Sequence, residues 1–313
     1  MKVRIGISLG PAATPDGLAA ALPQLEAAGI DSLWLSEVVY GDMVEPVVGM
    51  TYALARTCRL KVGTGVAVLP GRHPVLVAKE LASLAALAPR RVLPVFGLRP
   101  ARPGEVAAFP VPGSRAAVFD ESLALLRLLL TGENVSFAGH FFRVDGASVG
   151  PVPVKPLDIW LGGSAPEGLR RAGRYGDGWL GSFLTPAEAG AAREQIQAAA
   201  AAAGREIEPD HFGISLAVGE ITPEFERSVQ RRRPGVDPAV LAPVTWAQAR
   251  AMIEAYIAVG LTKFVVRPAR PPAGGIEQLI TEFAAELLPV ENRVATGGEL
   301  RALPRHAVSP PAA

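Results

Sequence analysis

The chain has 313 residues, 49% hydrophobic and 19% charged, which is enough for one large core in a single α/β domain. Lysine plus arginine (31) nearly balance aspartate plus glutamate (30), which argues against a nucleic-acid partner or an acidic membrane surface. The single cysteine excludes an internal disulfide and a cysteine-built zinc site, and it favours a cytoplasmic protein. The sequence has neither a signal-peptide pattern nor a long apolar run, so no membrane span is expected.

Apolar segments with the length of strands alternate along the chain with segments of helical spacing. The predicted strands cover residues 3–9, 32–37, 60–69, 91–98, 157–161, 178–183, 212–218 and 264–267. The predicted helices cover residues 16–29, 46–58, 73–87, 115–130, 168–174, 186–204, 246–259 and 275–288. Such alternation is typical of parallel strands with helical crossovers, and eight repeats at this length predict a (β/α)8 TIM barrel.

The remaining segments set the domain organisation. Residues 135–149 alternate around Gly139 and Gly146 and predict a hairpin-containing insertion, at about residues 133–156, between the fourth helix and the fifth strand. Residues 222–243 are interpreted as a mobile insertion. One barrel domain over residues 1–292 and a flexible tail over 293–313 are therefore predicted.

The most informative segment is a glycine turn between a strand and a basic helix. Its sequence is Ile159-Trp160-Leu161-Gly162-Gly163-Ser164-Ala165. Two glycines let the backbone turn sharply and approach a bound group closely. The free amides and positive dipole end of the next helix then face that group. The segment predicts a phosphate site, although a plain strand–helix turn would have the same residues.

Four stretches in this order resemble the bacterial-luciferase-like monooxygenases and their coenzyme F420-dependent oxidoreductase relatives, over about residues 1–290. The stretches are Asp31 to Glu37, Leu60 to Val66 with Pro70, Arg72 and Pro74, Phe137 to Val144 with Pro151 to Pro156, and the glycine turn. The resemblance implies a TIM barrel with an insertion after the fourth helix. It also implies a planar tricyclic cofactor across the carboxyl-terminal mouth of the barrel.

The same resemblance implies which residues contact the cofactor. A bulge near Gly65 and Val66, often with a cis peptide bond, supports the ring, while backbone after the fifth and sixth strands holds the phosphate. The expected contact residues are Ser36, Thr64, Gly65, Val66, Gly162, Gly163, Ser164, Gly181 and Ser182. Even without the family, small residues around Thr64 indicate close approach by something flat, or else a simple strand bulge.

The chain departs from the family pattern in two places. Arg99 and Pro100 replace the glycines that many members carry after the fourth strand, and Glu105 is the candidate for the acid that follows. No histidine follows Glu37 at the end of the second strand.

Two residues are candidates for catalysis. Glu37 ends a predicted strand and therefore faces the barrel mouth, where a buried carboxyl would act as a general acid or base. The alternative is a helix-capping or salt-bridging carboxylate. Tyr40 is a candidate donor to a substrate oxygen, or plain pocket wall.

Other chemistry-bearing residues receive simpler interpretations. The four histidines have no metal-ligand spacing, so no metal site is expected. Lys263, Arg267 and Arg270 bracket the eighth strand, and one of them is a candidate contact for an anionic cofactor tail or substrate. Trp160, Trp179 and Cys58 are predicted core residues, Cys58 on a helix.

The predicted function is hydride transfer between a bound cofactor and a small organic substrate. The cofactor is F420 or flavin mononucleotide (FMN), and the choice separates a dehydrogenase from a monooxygenase. The Ala/Arg/Gly/Pro-rich composition is typical of actinobacteria, which make F420, and favours that coenzyme. The alternatives are an FMN-dependent luciferase-like monooxygenase, a non-catalytic flavin or deazaflavin binder, and a sugar-phosphate aldolase or isomerase. A homodimer is the expected assembly if the chain follows its family.

Overall fold

The computed structural model describes residues 2–153, 155–270, 274–291, 293–296 and 299–302, the last two ranges as backbone only. The strands are β1 (Arg4–Ile7), β2 (Ser32–Leu35), β3 (Lys61–Thr64), β4 (Ala67–Val68), β5 (Val92–Leu93), β6 (Val95–Gly97), β7 (Val135–Ala138), β8 (Arg143–Ala147), β9 (Trp160–Gly162), β10 (Gly178–Ser182), β11 (Phe212–Val218), β12 (Lys263–Pro268), β13 (Arg293–Thr296) and β14 (Glu299–Ala302). The helices are α1 (Pro15–Ala28), α2 (Pro46–Arg56), α3 (Pro74–Leu87), α4 (Arg115–Thr131), α5 (Pro166–Tyr175), α6 (Pro186–Ala202), α7 (Pro223–Arg232), α8 (Trp246–Ala258) and α9 (Gly275–Glu291).

Ten strands form one curled parallel sheet with helices on its outer face. The strand order is β4-β6-β9-β10-β11-β12-β1-β2-β3-β5. Outward-facing strand residues and the buried faces of the helices share one large apolar core, which holds the fold together by burial. The α/β architecture predicted from the alternating pattern is therefore confirmed.

The third and fourth predicted strands are each split in two. Residues 65 and 66 separate β3 from β4, and Pro94 separates β5 from β6. The four pieces still pair in parallel, β3 with β5 and β4 with β6. Proline has no amide hydrogen to donate to a neighbouring strand, which accounts for the interruption of the fourth strand.

Helix starts follow directly from the local sequence. Thr185 and Thr245 form capping boxes with Glu188 and Gln248, and the Thr14 hydroxyl accepts the Gly17 amide hydrogen bond. Several of these helices also carry proline in their first turn, where the missing amide costs nothing.

The excursion between α4 and β9 contains the antiparallel hairpin of β7 and β8. Glu121 on α4 anchors its tip, because the amides of His140, Phe141 and Phe142 all donate to the Glu121 carboxylate. Val154, within the predicted insertion, lies outside the described residues.

Two sequence-based predictions are wrong. The segment predicted to be a mobile insertion contains α7, whose Phe225 and Val229 are buried in a separate apolar cluster. Cys58 is exposed in the turn after α2, since that helix ends at Arg56. Residues 297–298 and 303–313 of the predicted tail lie outside the described residues.

None of the helices in the described part of the chain combines the length and apolar character that a membrane span requires. Among the same residues, no three His, Cys, Asp or Glu side chains are grouped to hold a metal ion.

Candidate functional site

Side chains fill the interior of the curled sheet. Trp34, Val95, Trp160, Leu180 and Val265 form an inner apolar cluster, and Val66 packs on it. Gly63 makes room for this cluster, because a Cβ there would lie 2.8 Å from Trp34 Cε3. A ligand can therefore bind only at an end of the strands.

A buried ion cluster closes the amino-terminal end. Asp31 accepts hydrogen bonds from Lys61 at 2.8 Å and from Lys263 at 2.6 Å. Burial alone would raise the pKa of Asp31, but the Lys263 and Lys61 ammonium groups hold that pKa well below its usual range. These charges satisfy one another, which leaves the carboxyl-terminal rim as the candidate site.

The rim carries a bulge between β3 and β4. The Gly65–Val66 peptide bond is cis, as the resemblance implied. The Ser36 hydroxyl donates to the Gly65 carbonyl at 3.1 Å. The Thr64 side chain is buried and bonds the backbone of Val95. Ser36, Thr64, Gly65 and Val66 thus belong to one structural unit.

Glu37 supports this bulge through two hydrogen bonds. The Val68 amide donates to Glu37 Oε2 at 2.6 Å, and the Arg72 guanidinium donates to Glu37 Oε1. Burial raises the pKa of the Glu37 carboxyl, while Val68 and Arg72 oppose that rise. These contacts are those of the salt-bridging alternative. The predicted catalytic role of Glu37 remains a prediction.

Val66 is enclosed by two glycines of neighbouring strands. A Cβ at Gly97 would lie 2.7 Å from Val66 Cγ2, and one at Gly162 would lie 2.9 Å from Val66 Cγ1. The two glycines therefore leave room for the Val66 side chain, which forms part of the rim surface between β6 and β9.

The glycine turn lies beside this surface. Gly163 has φ +111°, a region that favours glycine, and a Cβ there would meet nothing within 4 Å. The Trp179 indole donates to the Gly163 carbonyl at 2.7 Å and fixes the turn. The first-turn amides of a helix have no partner within the helix. In α5 the preceding residue, Ala165, provides no side-chain cap for them.

The remaining predicted residues are less central. Gly181 lies under the Trp179 ring, where a Cβ would come within 2.5 Å of Cζ2, so packing alone accounts for this glycine. Ser182 is half-buried at the end of β10. The Tyr40 side chain is 58% exposed on the loop after β2.

Glu105 holds that loop. The Val39 and Tyr40 amides donate to Glu105 Oε1 at 3.0 and 3.2 Å. Glu105 is 1% exposed, and its Oε2 has no hydrogen-bond partner among the described residues. Only the acid position in the resemblance signalled this residue.

The sequence analysis did not predict that α7 lies at the rim, near the ends of β10 and β12. The α7 helix contributes Phe225 and Arg232, which lie near Phe183 and Arg267. The missed signal was the spacing of Phe225 and Val229, four residues apart, within an otherwise polar helix.

Residues 2–220 of the chain match the family described as luciferase-like monooxygenase. An F420-dependent hydroxymycolic acid dehydrogenase of Mycobacterium tuberculosis is 35% identical over 175 residues, which cover 53% of this chain and 48% of that protein. An F420-dependent glucose-6-phosphate dehydrogenase of Kineococcus radiotolerans is 31% identical over 176 residues, covering 53% of this chain and 52% of that one. The chain thus spans about half the length of the curated relatives it matches.

Among solved structures, an F420-dependent secondary alcohol dehydrogenase in complex with an F420–acetone adduct has a similar fold. The TM-score is 0.73 at 19% identity, with 92% of this chain and 99% of that chain covered. The rim geometry, the shared fold and the match over most of the sequence lead to one conclusion: the chain belongs to the luciferase-like monooxygenase family.

Proposed function

We propose that this protein is an oxidoreductase that transfers a hydride between coenzyme F420 and a small organic substrate. One observation carries the proposal: the Gly163 turn, with open space and uncapped helix amides, lies beside the bulge at Val66. Resemblance to F420-dependent dehydrogenases supports the choice of cofactor.

The residues present fit such a cofactor. The amides of Gly163 and Ser164 and the first turn of α5 would hold the anionic tail, because helix amino termini attract negative charge. Val66 and the bulge would support the ring, with Ser36 and Thr64 fixing the bulge. When bound, the deazaflavin supplies two-electron hydride transfer.

The protein's own residues set the position of that chemistry. Glu37 holds the bulge through Val68 and Arg72, so its proposed contribution is to orient the ring. A raised pKa of the Glu37 carboxyl also fits the predicted role as a proton donor. Tyr40 is proposed as a contact for the substrate. Gly181 and Ser182 are proposed to border the cofactor tail.

The curled sheet is close to a closed barrel in its strand pairing. Because β3 pairs with β5 and β4 with β6, we propose that the sheet is a closed (β/α)8 barrel over residues 1–292. The β7–β8 hairpin is then the insertion between the fourth helix and the fifth barrel strand, about residues 133–156.

A homodimer and a cytoplasmic location complete the proposal. Val48 and Tyr52 on α2 and Leu76 on α3 are exposed apolar side chains on consecutive helices. Exposed apolar patches of this kind are typical of protein interfaces. Sedimentation velocity tests the dimer, and a monomer at micromolar concentration would contradict it.

Cofactor titration tests the function. Purified protein is titrated separately with F420 and with FMN, and binding is followed by cofactor fluorescence. We expect saturable binding of F420 at micromolar concentration and much weaker binding of FMN. The reverse preference would support the FMN-dependent monooxygenase instead.

Turnover separates the enzyme from a non-catalytic binder. Protein loaded with F420 is incubated with a panel of alcohols, and F420 reduction is followed by its absorbance. Tight F420 binding without reduction by any alcohol, and without oxidation of reduced F420 by the matching carbonyl compounds, would favour the binder.

A further inference from the structure

The side of the rim between β10 and β12 is covered by an aromatic pair. Phe225 on α7 is buried and stacks on Phe183, which follows β10; the ring centroids are 5.8 Å apart and the planes differ by 23°. Both rings belong to an apolar cluster separate from the barrel core. This cluster forms an apolar wall at the rim beside the ends of β10 and β11.

Phe183 is held in an unusual backbone conformation. Its φ is +58°, a region that bulky residues rarely adopt. The Arg233 guanidinium donates to the Phe183 carbonyl at 2.6 Å, and Arg233 also pairs with Glu188. Strained residues that the surrounding structure fixes in this way are concentrated at functional sites.

Arg267 is a cation without a paired anion at this wall. It lies on the inward face of β12, since Lys263 and Val265 on the same strand face the interior. Lys263 pairs with Asp31, and Arg270 pairs with Glu220. The Arg267 backbone pairs with Ala217 of β11, but no hydrogen bond or ion pair joins its side chain to any residue that the structure describes.

The surroundings of Arg267 favour an incoming anion. Its guanidinium carbon lies 6.0 Å from the Phe225 ring centroid. Burial lowers the pKa of Arg267, the charge of Arg232 lowers it further, and the charge of Glu224 opposes this in part. A half-buried charge of this kind is costly unless an opposite charge satisfies it.

Arg232 adds a second cation to the same wall. Its guanidinium carbon lies 4.9 Å from the Phe183 ring centroid, and Nη2 donates to the Ala101 carbonyl at 3.3 Å. Arg232 therefore reaches from α7 to the loop after β6 and leaves further donors free for a ligand.

We infer that Arg267 and Arg232, together with Phe183 and Phe225, form a substrate subsite for a carboxylate carried on an aromatic or similarly apolar body. The inference rests on the proposed function and narrows its substrate class. Arg267 on β12 is separated in the sheet from the β9 turn by β10 and β11. Phe183 directly follows Ser182, so the subsite adjoins the residues proposed to border the cofactor tail. The arginines would bind the carboxylate, and the rings would pack on the body.

Binding of simple probes tests the subsite without turnover. F420-loaded protein is titrated by calorimetry with benzoate, with its neutral analogue benzamide, and with inorganic phosphate. We expect benzoate to bind at least about tenfold more tightly than either other probe, a difference of about 1.4 kcal/mol. Equal binding of benzoate and benzamide would overturn the carboxylate assignment. Equal binding of benzoate and phosphate would overturn the role of the rings.

Variants identify the residues responsible. Arg267→Gln and Arg232→Gln should each abolish most of the preference for benzoate, whereas Arg267→Lys should keep part of it. Arg231→Gln is the matched control, since Arg231 is exposed on the same helix and its guanidinium donates to the Ser228 hydroxyl. A preference that survives both glutamine variants would overturn the subsite.

Two further measurements distinguish failure of the proposed function from failure of the subsite. F420 affinity is measured for each variant, and thermal unfolding confirms that it folds. If Arg267→Gln fails to fold, Arg232→Gln is used instead, because Arg232 is exposed. If the wild-type protein does not bind F420, the proposed function is contradicted, and the benzoate titration is then made on the free protein. If the wild-type protein binds F420 but shows no preference for benzoate, this inference alone is contradicted.

Discussion

The Thr64 hydroxyl exchanges two hydrogen bonds with the backbone of Val95. It donates to the Val95 carbonyl at 2.7 Å and accepts from the Val95 amide at 2.8 Å. Both strands are interrupted here, β3 after Thr64 and the fourth strand at Pro94. A single side chain therefore replaces the strand pairing that the two interruptions remove, and the bulge at Gly65 rests on it.

Thr64→Val is expected to lower the free energy of unfolding by about 2 kcal/mol, because it leaves a buried amide and a buried carbonyl without partners. Denaturant unfolding measures the change. Thr64→Ser keeps the hydroxyl and should lose clearly less. Equal losses for the two variants would show that the hydroxyl contributes little.

Gly163→Val is expected to weaken F420 binding by at least about tenfold while the fold persists. Valine strongly disfavours φ +111°, so the turn must change although a Cβ has open space. Gly204→Val is the control, because Gly204 also has positive φ (+67°) and open space but follows α6. Fluorescence titration measures the affinities, and an unchanged affinity in folded Gly163→Val would count against the phosphate site.

Trp179→Phe is expected to weaken F420 binding a few-fold, because the Gly163 carbonyl loses the indole donor that fixes the turn. Trp246→Phe removes a comparable indole hydrogen bond, to Glu282 at 2.8 Å, on the outer layer of helices. The control should leave affinity unchanged. Equal weakening in both variants would mean that the Trp179 bond has no specific role at the site.

Glu37→Gln distinguishes an orienting role from proton transfer. If Glu37 orients the bulge, the variant should lose F420 affinity and about 1–3 kcal/mol of stability, as should Arg72→Gln. The double variant should then lose little more than either single one, because the two residues form one ion pair. Intact affinity with reduced turnover would instead support the catalytic prediction.

The free energy of unfolding is expected to depend on pH through the buried carboxyl of Glu291. Burial raises the pKa of this carboxyl from 4.5 to about 7, although the Ile5 amide donates to it at 2.5 Å. A raised folded-state pKa means that the stabilising contribution is complete below about pH 4.5 and is lost as the pH rises to about 7. Glu291→Gln cannot ionise, so it should lack this loss of about 3 kcal/mol.

Denaturant unfolding of wild type and Glu291→Gln between pH 4.5 and 8 measures the difference. The two stability curves should diverge as the pH rises, with the wild type falling faster. Parallel curves would show that the Glu291 carboxyl titrates normally in the folded protein.

Local patterns predicted the elements closely where a strand is a nearly continuous apolar run. The seventh strand was predicted at residues 212–218, which are the bounds of β11, and the glycine turn was found from two adjacent residues. Phe225 and Val229 were missed because arginines and glutamates dominate the surrounding segment and hide a two-residue apolar face.

The sequence by itself determined the alternation of strands and helices, the buried Trp160 and Trp179, and the turn at Gly163, because each depends on neighbours along the chain. Tertiary structure alone decided which charges are paired. Asp31 binds Lys263, 232 residues away, and this leaves Arg267 as the cation of the eighth strand without a paired anion among the described residues. Periodicity reports which side of an element is buried, but only the closing of the sheet brings distant side chains within hydrogen-bond distance.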